Sequence, residues 1–264
     1  MTIRRARRAV QILTLGMIVL IPILNRAEIT FLSGTFYSLA IGPVWITDPI
    51  IGFQTMLTSL RIDKALLLSM VIPLAAAAVL GRVFCSWMCP QNTLSEWVDH
   101  LADRLSSKRM FTFRTPRHVR TAVTAAVVLA APLAGFPLAS LLSAPGIISA
   151  QTARLIKEGA VGAEVILIAV ILIAELFVAR RVWCSTLCPV GGFLALFRFR
   201  RTMRVALVED AQHHCGRCHA CDEACQLGLA PMAGDIQPVC HNCGDCIDTC
   251  ARLQHGARPL VFKR

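Results

Sequence analysis

Four stretches of this chain carry almost no charge, and each is about as long as a helix that crosses a membrane. They lie at residues 9–25, 65–81, 121–142 and 160–179. Each has roughly 17 to 22 residues, close to the ~20 that a helix needs to cross ~30 Å of hydrocarbon. The sequence therefore predicts four transmembrane helices.

The overall composition agrees with this prediction. The chain is 55% hydrophobic with a mean hydropathy of +0.60, yet its formal net charge is +11. This combination is too apolar for an ordinary soluble domain and is typical of a membrane protein with basic flanks. No cleavage site of small residues follows the first apolar run, so we expect a retained anchor and not a signal peptide.

The segment 30–60 is also apolar, and it would supply a fifth span if it formed one continuous helix. Turn-forming or charged residues interrupt it too often for such a helix. These interruptions are Gly34, Gly42, Pro43, Asp48, Pro49 and Gly52. We predict an interfacial or re-entrant loop here, with a fifth span as the alternative.

The basic residues are distributed unevenly between the two sides that four spans define. Of 27 Lys and Arg, 22 lie before the first stretch, in the segment 82–120 or after residue 179. Loops rich in Lys and Arg stay on the cytoplasmic side of a membrane. We therefore expect a multi-pass protein of the bacterial cytoplasmic membrane, with both termini and all twelve cysteines on the cytoplasmic side. Nucleic-acid binding explains the charge less well.

A motif is repeated about one hundred residues apart, directly after the second and fourth apolar stretches. The sequence LGRVFCSWMCP at 80–90 aligns with ARRVWCSTLCP at 179–189. Equivalent features of parallel repeats lie on the same face of a membrane. We predict an all-α membrane domain over 1–204, built from two repeated hairpins (about 9–108 and 119–204), followed by a cytoplasmic ferredoxin-like domain over 205–264.

The repeated motif places two thiols four residues apart, on one face of a helix if the helix continues. One interpretation is that these cysteines are small buried hydrophobic residues. The other is that the two copies converge and bind a further metal or cluster, or act as a dithiol relay. The cysteines concerned are Cys85, Cys89, Cys184 and Cys188.

The segment after the first motif, 90–105, has helical periodicity. Its apolar residues share one helix face, so we expect an amphipathic helix along the interface, with its charged face toward the cytoplasm. The equivalent segment after Cys188 begins with two glycines and is less regular.

Two runs near the C-terminus, 215–225 and 240–250, each have the spacing C-x2-C-x2-C-x3-C. This spacing binds [4Fe–4S] clusters, and in two-cluster ferredoxins the fourth cysteine of each run ligates the other cluster. One cluster would be held by Cys215, Cys218, Cys221 and Cys250, and the other by Cys240, Cys243, Cys246 and Cys225. Zinc and disulfides are the weaker alternatives. The proline that usually follows such runs is replaced by Gln226 and Ala251.

Taken together, these motifs resemble the NapH/MauN family of ferredoxin-type membrane proteins over essentially the whole chain. WITDP at 45–49 and CSTLCPVGGF at 184–193 also carry the resemblance. The resemblance implies the membrane component of a quinol dehydrogenase, which passes electrons from the quinone pool toward a periplasmic reductase. A periplasmic iron–sulfur protein or a multihaem cytochrome would be the partner. SAPGIIS at 143–149 departs from the nitrate-linked members, so the terminal enzyme stays open.

Carboxylates within apolar stretches are candidates for proton transfer, because they are costly there. Glu164 and Glu175 lie eleven residues apart in the fourth stretch and are predicted to share one helix side, although both also suit an interface. The sequence thus favours electron transfer between quinol and a partner. A maturation factor for a periplasmic metalloenzyme and a redox sensor are the alternatives.

Overall fold

The computed structural model describes residues 2–28, 31–105, 117–199, 201–208, 218–233, 239–253 and 259–263. The first repeat consists of α1 (Ile3–Arg26), strands β1 (Leu32–Thr35), β2 (Ser38–Ile41) and β3 (Val44–Thr47), and helices α2 (Pro49–Ser59), α3 (Lys64–Leu80), α4 (Val83–Trp87) and α5 (Pro90–Arg104). The second consists of α6 (Arg117–Ala134), α7 (Ala139–Leu142), α8 (Ala144–Glu158), α9 (Val165–Phe177), a π-helical turn (Trp183–Leu187) and α10 (Pro189–Leu196). The C-terminal part contains β4 (Arg204–Leu207), α11 (Ala220–Glu223), a 3₁₀ turn (Pro231–Ala233), α12 (Asp245–Leu253) and β5 (Leu260–Lys263).

The four predicted apolar helices are present as α1, α3, α6 and α9. Within the described residues, α1 is the one helix that is both long and apolar enough to cross a membrane, while the other three are shorter apolar helices. The predicted third stretch is wrong beyond residue 134, because the chain leaves the helix at Gly135, whose φ is +75°. The fourth helix begins at Val165 and not at residue 160.

The segment 30–60 is not a loop. Strands β1, β2 and β3 form an antiparallel sheet in which Leu32 pairs with Ile41 and Ser38 pairs with Thr47. The turn between β1 and β2 carries Tyr37, whose ring meets the ring of Phe84 edge-on at 5.9 Å. Since Phe84 lies in the first cysteine motif, this turn reaches the end of the bundle that carries the cysteines.

Helices α2 and α8 occupy equivalent places in the two repeats. Each has a polar residue at its N-cap and a proline in its first turn, where the missing N–H costs no hydrogen bond. Asp48 accepts a bond from the amide of Ile50, and Ser143 accepts one from the amide of Gly146. Both capping residues are buried, so both helices start inside the bundle.

Gln54 bridges the two repeats. Its side-chain amide in α2 donates to the carbonyl oxygen of Val127 in α6, and its oxygen accepts from the amide of Ala139 at the start of α7. Gln54 is fully buried. It therefore satisfies a buried backbone amide where α7 begins.

Helix α5 is amphipathic as predicted, and its charged residues His100, Asp103 and Arg104 are exposed. Trp97 and Leu101 on the apolar face are exposed as well, whereas the polar residues Asn92, Ser95 and Asp99 are buried against the rest of the chain. These polar groups face inward because they bond partners on neighbouring elements, including Arg181. The outward charged face is therefore present except at Asp99.

Candidate functional site

Three cysteines of the second run and one cysteine of the first run line one cavity. They are Cys240, Cys243, Cys246 and Cys225. Two backbone amides point at these sulfurs, because Leu229 N donates to Cys225 Sγ at 3.3 Å and Asn242 N donates to Cys240 Sγ at 3.4 Å.

A second cavity lies between α11 and α12. Cys218 and Cys221 of the first run line it together with Cys250, the last cysteine of the second run. The remaining member of this predicted set, Cys215, lies outside the described residues. The ribbon formed by β4 and β5 closes the core beneath both cavities, where Val205 and Leu260 pack against Cys221, Cys246 and Cys250.

The donor set of these cavities fits a polynuclear cluster. Among the residues that the structure describes, no three His, Cys, Asp or Glu side chains lie close enough to hold one metal ion. The cysteines instead surround a space, and burial raises the pKa of Cys240 and of Cys221 to about 11 each. A cationic group in the cavity would favour their deprotonation, because metal ligation requires the thiolate.

The loop that leads into the second run is docked on the first C-x-x-x-C-P motif. The Ser86 hydroxyl donates to the carbonyl oxygen of His241 at 2.6 Å, and Trp87 Nε1 donates to that of Asn242 at 3.2 Å. At Gly81 (φ +71°), a Cβ would lie 2.9 Å from Asn242 Nδ2, so a larger residue would push this loop away. The contact places the cavity of the second run next to the bundle.

Gln226 explains the absence of the usual proline after the first run. Its side-chain amide donates to Asp245 at 2.6 Å and to Glu96 of α5 at 3.2 Å. Proline has no side-chain donor, so it would lose both bonds. Gln226 therefore connects the residue that follows Cys225 with the amphipathic helix of the first repeat.

The two C-x-x-x-C-P motifs have the same local geometry. The amide of Cys89 donates to the carbonyl oxygen of Phe84 at 3.0 Å, and the amide of Cys188 donates to that of Trp183 at 2.9 Å. Each of these cysteines is extended because a proline follows it, and each is the N-cap of the next helix. The prediction that both thiols of a motif lie on one continuous helix is therefore wrong.

The four thiols of these motifs lie near one another. Burial raises the pKa of Cys89, and the neighbouring Cys85 and Cys188 raise it further. Burial also raises the pKa of Cys184, to which Cys188 and Cys89 contribute. The two copies thus converge at one end of the bundle.

Three buried arginines accompany this four-thiol group, which we define as Cys85, Cys89, Cys184 and Cys188. They are Arg82, Arg120 and Arg181, each at most 4% exposed. Burial raises the pKa of Cys188 to about 11, although the positive charges of Arg82 and Arg120 lower it in part. Buried cations beside thiols favour an anionic group at this place.

The sequence did not single out these arginines, although the repeat contains the signal: an arginine stands three residues before the first cysteine of both motifs. Arg82 Nη1 donates to the carbonyl oxygen of Val239 at 2.8 Å, so it anchors the C-terminal part. Its equivalent, Arg181, bonds Asn92 and pairs with Asp99 at 3.0 Å, so it anchors α5.

The two candidate carboxylates of the fourth stretch are not brought together. Glu164 precedes α9, is exposed, and accepts a bond from Gln151 of α8. Glu175 is buried near the other end of α9. Burial lowers the pKa of Arg181, but the negative charges of Asp99 and Glu175 raise it, and the net change is upward. They therefore do not form one proton-transfer site.

These features define a helical protein of two repeated units, each ending in a C-x-x-x-C-P motif, with a C-terminal ferredoxin-type cysteine domain. Residues 63–109 and 161–205 match a family model described as a 4Fe-4S binding domain. Each matched segment contains one C-x-x-x-C-P motif, and neither reaches the eight C-terminal cysteines.

Curated relatives extend the similarity over most of the chain. The ferredoxin-type protein NapH of Escherichia coli is 26% identical over 93% of this chain and 85% of its own length. The methylamine utilization ferredoxin-type protein MauN of Methylorubrum extorquens is 32% identical over 83% of this chain and 73% of its own length. The chain belongs to the NapH/MauN family of ferredoxin-type proteins. No solved structure matches it.

Proposed function

We propose that this protein is a membrane-bound iron–sulfur electron carrier that takes electrons from the quinol pool and passes them to a periplasmic partner. The observation that carries the proposal is the pair of cysteine-lined cavities in the C-terminal part. When bound, [4Fe–4S] clusters supply one-electron carriers whose potentials depend on hydrogen bonds and exposure. The similarity to NapH and MauN supports the same role.

The proposed ligands are grouped by cavity. Cys225, Cys240, Cys243 and Cys246 hold one cluster, while Cys218, Cys221 and Cys250 hold the other together with Cys215. The amides of Leu229 and Asn242 support the first assignment, since amides that donate to sulfur stabilise the ligated thiolate.

The proposed topology has four spans, formed by α1, α3, α6 and α9, with both termini in the cytoplasm. The charge distribution supports it, because 22 of 27 Lys and Arg would lie on the cytoplasmic side. The exposed apolar face of α5 supports burial in lipid, since exposed apolar patches on a protein mark such contacts. The periplasmic partner would be an iron–sulfur protein or a multihaem cytochrome.

The test is anaerobic mixing of the purified holoprotein in detergent with a reduced menaquinone analogue, followed by low-temperature EPR. We expect signals of two [4Fe–4S] clusters to appear with quinol. Signals that require dithionite would overturn quinol as the direct donor and favour a partner-fed carrier, a maturation factor or a sensor. Absence of both signals after dithionite would overturn the iron–sulfur assignment.

A further inference from the structure

An open groove runs between α1 and α5. The groove lies beside the part of α1 where a basic segment gives way to an apolar one. Arg8 lines the polar end of the groove, and Ile12 and Leu15 line its apolar end. On α5, His100 lies at the polar end, and Trp97 and Leu101 complete the apolar wall. The groove therefore has the amphipathic lining of a site for a ligand with a polar head and an apolar tail.

The polar end presents acceptors and donors together. Arg8 Nη2 lies 3.3 Å from His100 Nε2, and Gln11 Nε2 donates to Glu96 Oε1 at 3.1 Å. A ring with two hydroxyl groups can donate to the Glu96 carboxylate and to a histidine nitrogen. Arg8 and Arg104 would attract a phosphate headgroup as well, since Glu96 is already paired with Arg7. The link from Glu96 to the cysteine cavity is what favours a quinol.

This groove is connected to the C-terminal part through Glu96. Glu96 accepts a bond from Gln226 at 3.2 Å, and Gln226 directly follows Cys225. Arg7 also contacts Glu96, at 3.4 Å, and it pairs with Asp245 between two cysteines of the second run. A ligand at the polar end would thus be separated from Cys225 by two side chains, those of Glu96 and Gln226.

We infer that the groove between α1 and α5 binds the head of a quinol, with Glu96 and His100 as hydrogen-bond partners of the hydroxyl groups and the apolar wall against the tail. The inference rests on the proposed function and adds a location to it. Exposed Trp97 and Leu101 leave the apolar end open to a ligand that arrives through lipid.

The test uses two matched tryptophan substitutions on α1. Ile12 lines the groove and is 70% exposed, while its neighbour Leu13 does not line it and is 66% exposed. The holoprotein in phosphatidylcholine nanodiscs is irradiated with an azidoquinone that carries a short isoprenoid tail, and the labelled peptides are identified by mass spectrometry. We expect label on α1 or α5, reduced about tenfold in Ile12→Trp and unchanged in Leu13→Trp.

The dithionite-reduced EPR spectrum of both variants serves as the folding control. Equal labelling of the two variants, or label confined to other helices, would overturn the inference. Label that anionic phosphatidylglycerol displaces, but excess unlabelled quinone does not, would identify a lipid headgroup site instead. If quinol reduces the clusters but the label lies elsewhere, the proposed binding site is wrong, while quinol remains the electron donor. If the groove is labelled but quinol never reduces the clusters, quinol is not the electron donor, while the binding site is confirmed.

Discussion

Arg7 and Asp245 form an ion pair of 3.1 Å between the first apolar helix and the C-terminal ferredoxin-type part. Their side chains are only 2% and 4% exposed. Arg7 also donates to the carbonyl oxygen of Cys243, so the same guanidinium group contacts the second cysteine run directly. The pair is therefore a fixed point between the bundle and the proposed cluster domain.

Replacement of Arg7 by alanine leaves Asp245 with Arg4, at 3.3 Å, as its remaining ion-pair partner. Removal of one partner from a buried pair costs about 3–5 kcal/mol, and Arg4 should reduce that cost. We expect Arg7→Ala to lower the thermal midpoint of the detergent-purified protein and to expose the C-terminal part to limited proteolysis. Arg5→Ala, at an exposed position on the same helix, is the control. Equal proteolysis of the two variants would contradict this role.

Crossed ligation predicts which pairs of substitutions act on one cluster. Cys225→Ala and Cys243→Ala affect the same cavity, so the double variant should lose no more iron than either single variant, about four atoms per chain. Cys225→Ala combined with Cys221→Ala affects both cavities and should remove about eight. Iron analysis with EPR checks both results. The opposite pattern would show that each run ligates its own cluster.

The four-thiol group lies beside buried arginines. This arrangement predicts a redox-active or metal-bound site. We expect the variant with Cys85, Cys89, Cys184 and Cys188 all changed to serine to lose iron or quinol-dependent cluster reduction, while it retains the two C-terminal clusters. Metal analysis and EPR of the same sample measure both. Unchanged metal content with full activity would show that these thiols serve only as buried packing residues.

The four apolar helices and the spacing of the two cysteine runs could be predicted from the sequence, because they depend on local patterns. The crossed ligand sets stay a prediction. Cys225 lines one cavity with Cys240, Cys243 and Cys246, but Cys215 lies outside the described residues.

The burial of Asn92 and Asp99 on α5 could not be predicted, because helical periodicity does not identify their partners. Asp99 is buried by Arg181 and Arg180, and Asn92 by Arg181. The sheet over 32–47 was missed because its strands have four residues each, too few for a period-two pattern to be seen among glycines. Both errors concern tertiary contacts that sequence periodicity does not contain.

Arg82 should set the reduction potential of the cluster in the second-run cavity. It lines the space beside Cys240, and it lowers the pKa of that thiol against the effect of burial. A unit charge close to a redox centre, at an effective dielectric constant of ~20, contributes on the order of 2 kcal/mol, which is on the order of 100 mV for one electron. We expect Arg82→Gln to lower the potential, measured by EPR-monitored redox titration.

Two further variants separate charge from structure in that experiment. Arg82→Lys keeps the positive charge but loses the guanidinium group that bonds Val239. The reduction potential of the cluster in this variant should therefore lie closer to that of the wild type. Arg61→Gln, at an exposed position outside the cysteine-bearing end, should leave the potential unchanged. A potential that rises in Arg82→Gln, or falls equally in Arg82→Lys, would contradict an electrostatic role.

Gly191 lies against the Arg82 side chain, so an added Cβ would require the end of that side chain to shift. A Cβ at Gly191 would lie 2.6 Å from Arg82 Nη2, whereas a Cβ at Gly16 in α1 would meet nothing within 4 Å. Overpacking of this kind costs about 1–3 kcal/mol. We expect Gly191→Ala to lower the thermal midpoint and to weaken the anchor on Val239, while Gly16→Ala leaves the midpoint unchanged or raises it. Since both substitutions add one methyl group to a helix, an equal effect would show that helix propensity, and not the position of Arg82, explains the glycine.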